Sequence, residues 1–459
     1  MMSPAPSARR ERQKGNDMSG NNISKKPLIL QRRFAPLFVL FQAGTFNDNA
    51  LKNALIALVL TGGITLFSGM PKESVIPLAT ILFTGPFLIL CAIAGQIADK
   101  IDRGLILKRI KRVEVGIMVL ASLGFMFQNT FILCLALVCM GAQSAFFSPT
   151  KNAVLPQWLE DDELIKGNGL LSGFQFFTIL LGTVFGTVIF QIPFAESSWV
   201  TASRVISIVL LFLAFIGWLA GERVPAAPAP RPDLKIDYNP ITAILKVLKF
   251  AWTDQPVFRP MLGIAWFYGL STIMITALPN YVYNVMQYDL YVLSFIQATT
   301  TIGILVGSLL CIVIAKGREA IGVMTIGIIG VTLFSLDLYL NSYETTRTTQ
   351  SSLEAFLQDP QMPRFMIAIF CASLFNGLFV IPLQAMAQGR STPERRARLM
   401  AAGAVMLNLS VNSFAIILFL LGFLSLSPNI PFLIIAFISA IVASYAIWRW
   451  LQIRKERLS

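Results

Sequence analysis

The sequence predicts an all-α polytopic membrane protein with twelve transmembrane helices in two six-helix halves. Three observations carry this reading. Of 459 residues, 55% are hydrophobic and only 13% charged, with a mean hydropathy of +0.68, well outside the composition of a soluble domain. Apolar stretches near the length that a ~30 Å hydrocarbon core requires recur at 34–60, 76–97, 113–129, 131–150, 167–192, 203–221, 258–283, 290–315, 320–340, 364–388, 399–424 and 428–450. Between the sixth and seventh lies the longest polar connection, 222–257. The expected organisation is a disordered basic tail (1–33), a six-helix bundle (34–221), the linker (222–257), a second bundle (258–450) and a short basic tail (451–459).

Composition also excludes function classes. The chain has no histidine, which removes Ser-His-Asp nucleophile systems, His-based metal sites and the His–Asp acyltransferase motif. Cys91, Cys134, Cys139, Cys311 and Cys371 are scattered through apolar segments, so they read as small buried hydrophobes rather than a disulfide or metal framework. No catalytic residue, metal or cofactor is therefore expected, and the chain does not read as an enzyme. The net charge of +13 does not point to nucleic acid, because the basic residues follow the loops. Apart from Lys72, Arg204, Arg347 and Arg364 on one side, and Lys52 within the bilayer, they lie in the tails and the even-to-odd connections. The positive-inside rule then puts both termini in the cytoplasm. The basic N-terminal stretch lacks the apolar core and cleavage site of a signal peptide.

The first segment holds the most informative residues, Phe46-Asn47-Asp48-Asn49 and Lys52-Asn53. Charges at mid-bilayer cost at least ~2.5–3.5 kcal/mol each, so they need a partner or a wet cavity. Asp48 and Lys52 are four apart, on one helix face and within pairing distance. Such a stripe is expected to line a path or a site. Gln128-Asn129 separates the third segment from the fourth. Gly182/Gly186 in the fifth and Gly303/Gly307 in the eighth are small faces for close helix approach, expected where those two helices slide on each other across the halves. The linker starts Gly221-Glu222-Arg223-Val224-Pro225-Ala226-Ala227-Pro228-Ala229-Pro230, a proline-rich run that cannot be helical. Ile241, Ile244, Leu245, Leu248 and Trp252 then fall at helical spacing beside Lys246 and Lys249, as in a short amphipathic helix on the inner leaflet. Phe146-Phe147-Ser148-Pro149 is echoed by Phe379-Val380-Ile381-Pro382, and Gly169 by Gly403. Two parallel halves with the pathway between them are the expected arrangement.

The loop Gly95-Gln96-Ile97-Ala98-Asp99-Lys100-Ile101-Asp102-Arg103-Gly104, followed by Lys108-Arg109-Ile110-Lys111-Arg112, resembles the signature loop of the major facilitator superfamily. The resemblance implies that Gly95 allows close approach of a neighbouring helix, and that Asp99 sits near the N-terminus of the eleventh transmembrane helix, where the macrodipole favours an anion. Arg103 then tethers Asp99 in a gate. The second-half counterpart, Ala315-Lys316-Gly317-Arg318-Glu319, lacks the Asp.

A narrower resemblance covers about residues 30–425. Gln31-Arg32-Arg33-Phe34-Ala35-Pro36-Leu37 leading to Gly44-Thr45-Phe46-Asn47-Asp48-Asn49-Ala50-Leu51-Lys52-Asn53 resembles the opening of the bacterial lysophospholipid transporter family. Ser148-Pro149-Thr150-Lys151-Asn152, Leu164-Ile165-Lys166-Gly167-Asn168-Gly169, the stretch from Asn239-Pro240 to Trp252, Gly263-Ile264-Ala265-Trp266-Phe267 and Glu394-Arg395-Arg396-Ala397-Arg398 resemble its later motifs. Where that family often has Ala-Ala-Asn-Asn, this chain has Ala401-Ala402-Gly403-Ala404, which removes amides from a polar lining. The transporter unit of that family also occurs fused to acyltransferase and acyl-carrier-protein ligase modules; this chain is expected to hold the transport unit alone.

The resemblance implies movement of lysophospholipid, chiefly lysophosphatidylethanolamine, from the outer to the inner leaflet of the bacterial cytoplasmic membrane, where a separate acyltransferase or acyl-carrier-protein ligase restores the missing chain. In that reading Asp48, between Asn47 and Asn49, meets the headgroup ammonium. Lys52 and Lys151 meet the phosphate through charge-assisted hydrogen bonds. Gln42, Gln143, Gln175, Asn376 and Gln384 add polar lining, and Gly95, Asp99, Arg103 and Arg398 gate the path. Plainer roles stand beside these: a structural Asp48–Lys52 pair, a snorkelling Lys151, and amides that glue helices together. Two other functions fit the same scaffold, an exporter of small amphipathic solutes or drugs and a non-transporting partner of an acyltransferase.

Overall fold

The computed structural model describes residues 27–62, 64, 71–159, 161–194, 201–315, 321–341, 343, 349–391, 393–424 and 427–456. Fourteen α-helices are present among them. In chain order they are α1 (Ala35–Leu60), α2 (Lys72–Lys100), α3 (Arg103–Met126), α4 (Thr130–Trp158), α5 (Asp161–Val188), α6 (Ala202–Glu222), α7 (Pro240–Trp252), α8 (Gln255–Asn280), α9 (Leu290–Ala315), α10 (Ile321–Leu340), α11 (Leu353–Gln358), α12 (Met362–Gly389), α13 (Pro393–Phe423) and α14 (Ile430–Glu456). All except α7 and α11 are 20 residues or longer. Residues 1–26 of the expected basic tail and 316–320 of the second-half loop lie outside the described residues.

Several helices overrun their apolar stretches on the side that carries both termini. α3 starts at Arg103, ten residues before its apolar run, because Asp102 caps it by accepting from the Leu105 N–H, as an N-cap side chain does. Asn129 caps α4 in the same way, and Gln128 takes the left-handed conformation between the two helices (φ 49°). The expected separation of the third and fourth segments is therefore built by a turn and a cap. α14 runs to Glu456, so Arg454 and Lys455 extend a helix.

The packing is internally repeated. α1 lies on α5, α2 on α4 and α3 on α6; in the second half α8 lies on α13, α9 on α12 and α10 on α14. Across the halves, α2 packs on α13 and α5 on α9. The glycine faces are used differently from the sequence expectation. Gly182 and Gly186 of α5 sit against the α1 backbone at Phe46 and Ala50, while Gly303 and Gly307 of α9 sit against α12 at Phe370 and Leu374. Both small faces therefore bind helices within a half. Small residues are needed where backbones touch, and those contacts lie inside each bundle.

Burial differs between the two ends. On the side away from the termini, one apolar cluster runs through both halves, from Leu55, Phe125 and Leu210 to Tyr281, Phe365 and Phe432. On the termini side the clusters are separate, one around Phe34, Leu107 and Trp158, another around Met261, Ala387 and Leu399. The apolar core is thus continuous across the halves at one end and split into separate clusters at the other.

The linker is strapped to the first half. Asp102 accepts from the Ala227 N–H, Trp158 Nε1 donates to the Ala226 carbonyl and Gln157 to that of Pro228. Gln96 exchanges two hydrogen bonds with the Asp237 backbone. The amphipathic helix forms as α7, capped by Asn239. It buries Ala243 and Ala251 and exposes Ile241, Leu245 and Trp252.

Candidate headgroup site

Ten helices are long and apolar enough by composition to cross a membrane, among the described residues. The two long ones that fall short are α1 and α3, which carry Asp48, Lys52, Lys111 and Glu114. With every backbone hydrogen bond satisfied inside the helix, α1 runs unbroken through Phe46-Asn47-Asp48-Asn49 and brings Asp48 to mid-length.

A cavity of about 250 Å³ lies within the first half. α1 contributes Gly44, Thr45, Asp48, Asn49 and Lys52; α3 contributes Lys111 and Glu114; α4 contributes Gln143, Ser144 and Lys151; α5 contributes Gln175. Phe41, Phe83, Phe87, Phe147 and Ile179 supply apolar wall. Three ammonium groups and two carboxylates thus share one small space. α4 reaches it past Pro149, which cannot donate to the carbonyl of Ala145 and so loosens the helix beside the site.

The pair expected within α1 is not made. Among the described residues no ion pair within 4 Å joins Asp48 to Lys52, although both line the cavity. Asp48 Oδ2 accepts from Ser144 Oγ at 3.4 Å, and its buried Oδ1 has no hydrogen-bond partner. The four-residue spacing put both on one face but could not show that the face opens onto a cavity. The buried pair is instead Lys111–Glu114, Nζ to Oε2 2.5 Å. Gln143 Nε2 donates to the same carboxylate at 3.1 Å and Asn47 Nδ2 at 3.5 Å. Lys151 Nζ sits 3.9 Å from the centroid of the Phe41 ring, a close cation–π contact.

The other predicted residues divide. Asn47 is fully buried and turned from the cavity towards α3 and the Leu210 carbonyl of α6. Asn49 donates to the Thr45 carbonyl one turn back. Gln42 accepts from Thr178 and so ties α1 to α5. In the second half, Asn376 donates to Ser271 Oγ at 3.0 Å and borders a separate cavity of about 50 Å³. Gln384 lines neither cavity.

At the loop after α2, Asp99 bridges Arg103 at 3.2 Å and the linker's Arg231 at 2.5 Å. Its described partners are thus α3 and the linker, where the family resemblance implied the eleventh transmembrane helix (here α13). Among the described residues a Cβ at Gly95 would meet nothing within 4 Å, so none of them approaches closely there in this conformation. The Arg398 side chain lies outside the described residues.

Lys111 and Glu114 were missed from sequence because hydropathy rises only after residue 112, which left Lys111 in a loop. A signal was present: Glu114 is the single acidic residue of α3 and follows a lysine by three.

This fold and this charged interior define a membrane transporter. The family model of the Major Facilitator Superfamily matches residues 34–346, and the chain belongs to that superfamily. Among individual relatives, it is 26% identical to "Lysophospholipid transporter LplT" of Yersinia pestis (strain Pestoides F) over 415 residues, covering 89% of this chain and 90% of the relative. The match to the transporter of that name in Yersinia pseudotuberculosis serotype O:3 (strain YPIII) has the same identity and coverage. Solved structures share the fold at low identity. A bacterial homologue of the iron transporter ferroportin in an inward-facing state has a TM-score of 0.62 at 14% identity, covering 92% of this chain and 99% of that one. A nucleoside transporter has 0.59 at 13% identity, covering 90% and 99%.

Proposed function

We propose that the protein moves lysophospholipids, with lysophosphatidylethanolamine as the reference substrate, from the outer to the inner leaflet of the cytoplasmic membrane by alternating access. The observation that carries this is the cavity, which Asp48 lines together with Lys52, Lys151 and a wall of phenylalanines. A zwitterionic headgroup needs both signs of charge in a desolvated place, and charge-assisted bonds supply them. At about 250 Å³ the space is below the ~300–1,000 Å³ of sites that enclose a whole drug-sized ligand. It takes a headgroup while the acyl chain stays against apolar wall or lipid. The named relatives support the substrate class.

Access follows from the two ends. The joined cluster away from the termini forms the closed gate, and the divided clusters leave the termini side open. With the positive-inside assignment, this is an inward-open state. A separate acyltransferase or ligase then consumes the delivered lipid.

The test compares uptake of labelled lysophosphatidylethanolamine by spheroplasts with and without the protein. Faster uptake with the protein is expected; equal uptake in both rejects the reading.

A further inference from the structure

The Lys111–Glu114 pair has features that a purely structural ion pair does not require. Both side chains are almost wholly buried, at 1% and 0% exposure, yet both border the cavity. Glycines clear the lysine's way to it. A Cβ at Gly221 of α6 would crowd the aliphatic stem, 3.2 Å from Cβ and 3.3 Å from Cγ, whereas one at Gly217 would make only ordinary contact with Cδ at 3.6 Å. At Gly44 of α1 a Cβ would lie only 2.6 Å from Nζ. The ammonium therefore occupies the space left by the missing side chain, one turn before Asp48. Glu114 does not depend on the lysine alone, since Gln143 and Asn47 also donate to it. The lysine can swing away while two amide N–H groups still hold the carboxylate, which matters because a buried carboxylate without donors is strongly disfavoured.

We propose that Lys111 is a headgroup-binding residue, held on Glu114 at the edge of the cavity and transferred to the lipid phosphate when a headgroup arrives. This deepens the transport reading and rests on it for the identity of the lipid. The exchange moves one ammonium between two oxyanions; no proton is lost and no covalent bond changes. It gives the phosphate a third ammonium ligand, from α3, beside Lys52 of α1 and Lys151 of α4, while Asp48 takes the headgroup's own ammonium. Gly44 is then the specificity position: it keeps the lysine's seat open.

The test uses the purified full chain in detergent and two ligands that differ only in the phosphoethanolamine: lysophosphatidylethanolamine and a monoacylglycerol of the same chain. Binding is read by ligand-induced thermal stabilisation for wild type, the neutral pair Lys111→Met/Glu114→Gln, and Gly44→Ala. Expected is a neutral-pair variant that melts like wild type without ligand, binds lysophosphatidylethanolamine at least tenfold more weakly, and binds monoacylglycerol unchanged. Gly44→Ala, which keeps both charges but pushes the ammonium from its seat, is expected to weaken the phosphate lipid several-fold. The proposal is overturned if the neutral pair binds lysophosphatidylethanolamine within twofold of wild type, if both lipids weaken equally, or if wild type does not prefer the phosphate lipid. Should the neutral pair not fold, Gly44→Ala decides, and wild-type binding there overturns the proposal. Spheroplast uptake is scored separately. Absent uptake with phosphate-dependent binding intact rejects transport and leaves this site standing.

Discussion

The two halves share one packing plan and divide the chemistry unequally. In the first half, α1, α3 and α4 carry Asp48, Lys52, Lys111, Glu114 and Lys151 around one cavity. In the second half, the buried polar side chains among the described residues are hydroxyls and amides, such as Thr300, Ser335, Asn376 and Asn412, and none is charged. Equivalent helices thus serve different ends. A buried charge demands a partner or water, so in the proposed reading the bundle that concentrates the charges is the one that holds the headgroup. The uncharged bundle can rock against it without breaking an ion pair. The seams fit this view: Asn412 of α13 bonds Thr84 of α2, and Thr187 of α5 bonds Gln297 of α9, all through neutral groups.

The largest expected effect follows from leaving one buried charge alone. Lys111→Met removes the ammonium from the cavity altogether, where a swing towards a phosphate would keep it there, so Glu114 is left with only the Gln143 and Asn47 amides. Losing the cation of a buried pair costs about 3–5 kcal/mol. The melting midpoint in detergent should fall sharply, and adding Glu114→Gln should restore it. A single variant that melts like wild type would show that the first half does not depend on the pair. Next comes Asp48→Asn, which keeps size and removes charge. The loss of a charge-assisted bond, about 1.5–3 kcal/mol, predicts a tenfold to hundredfold fall in lysophosphatidylethanolamine flux with unchanged expression. Flux within twofold of wild type would take Asp48 out of the site.

Asn376→Ala probes the second half at the same depth. If that half is a neutral wall, flux falls by at most about tenfold, since a neutral hydrogen bond contributes only ~0.5–1.5 kcal/mol; a loss approaching about a hundredfold would erase the contrast between the halves. The smallest effect is expected at the linker. Hydrogen bonds from Lys246 and Thr242 hold the Asp237 carboxyl below the usual carboxylate range. Because its folded value is depressed, whatever it contributes is present above the ordinary carboxylate pKa of ~3.9 and fades only as pH falls through the lower folded value. Asp237→Asn should therefore leave flux at neutral pH unchanged and raise proteolysis of the segment before α7. Equal proteolysis would show that the strap does not need this carboxylate.

Much of the architecture was legible because the bilayer is a strict solvent. The apolar stretches, the basic loops and the proline-rich linker each answer a single physical demand, and α7 formed where Ile241, Leu245 and Trp252 marked an amphipathic face. The candidate site was legible in part. Asp48, Lys52 and Lys151 stood out as charges inside apolar segments, and the fold places all three at one cavity. Asn47, Asn376 and Gln384 carried the same polar signal and lie elsewhere, because an amide that binds a neighbouring helix looks no different from one that faces a cavity.

By itself the sequence determined that the chain crosses the membrane many times and which residues cannot rest in hydrocarbon, since both depend on local composition against a fixed solvent; the superfamily was legible from the resemblance of the loop at Gly95–Gly104. Only the tertiary structure decided which charges pair. Asp48 and Lys52 sit on one helix yet remain apart, while Lys111 and Glu114 close a pair beneath a glycine of α1. Partner choice in a desolvated interior depends on where other helices place their donors and gaps, and no spacing along one helix encodes that.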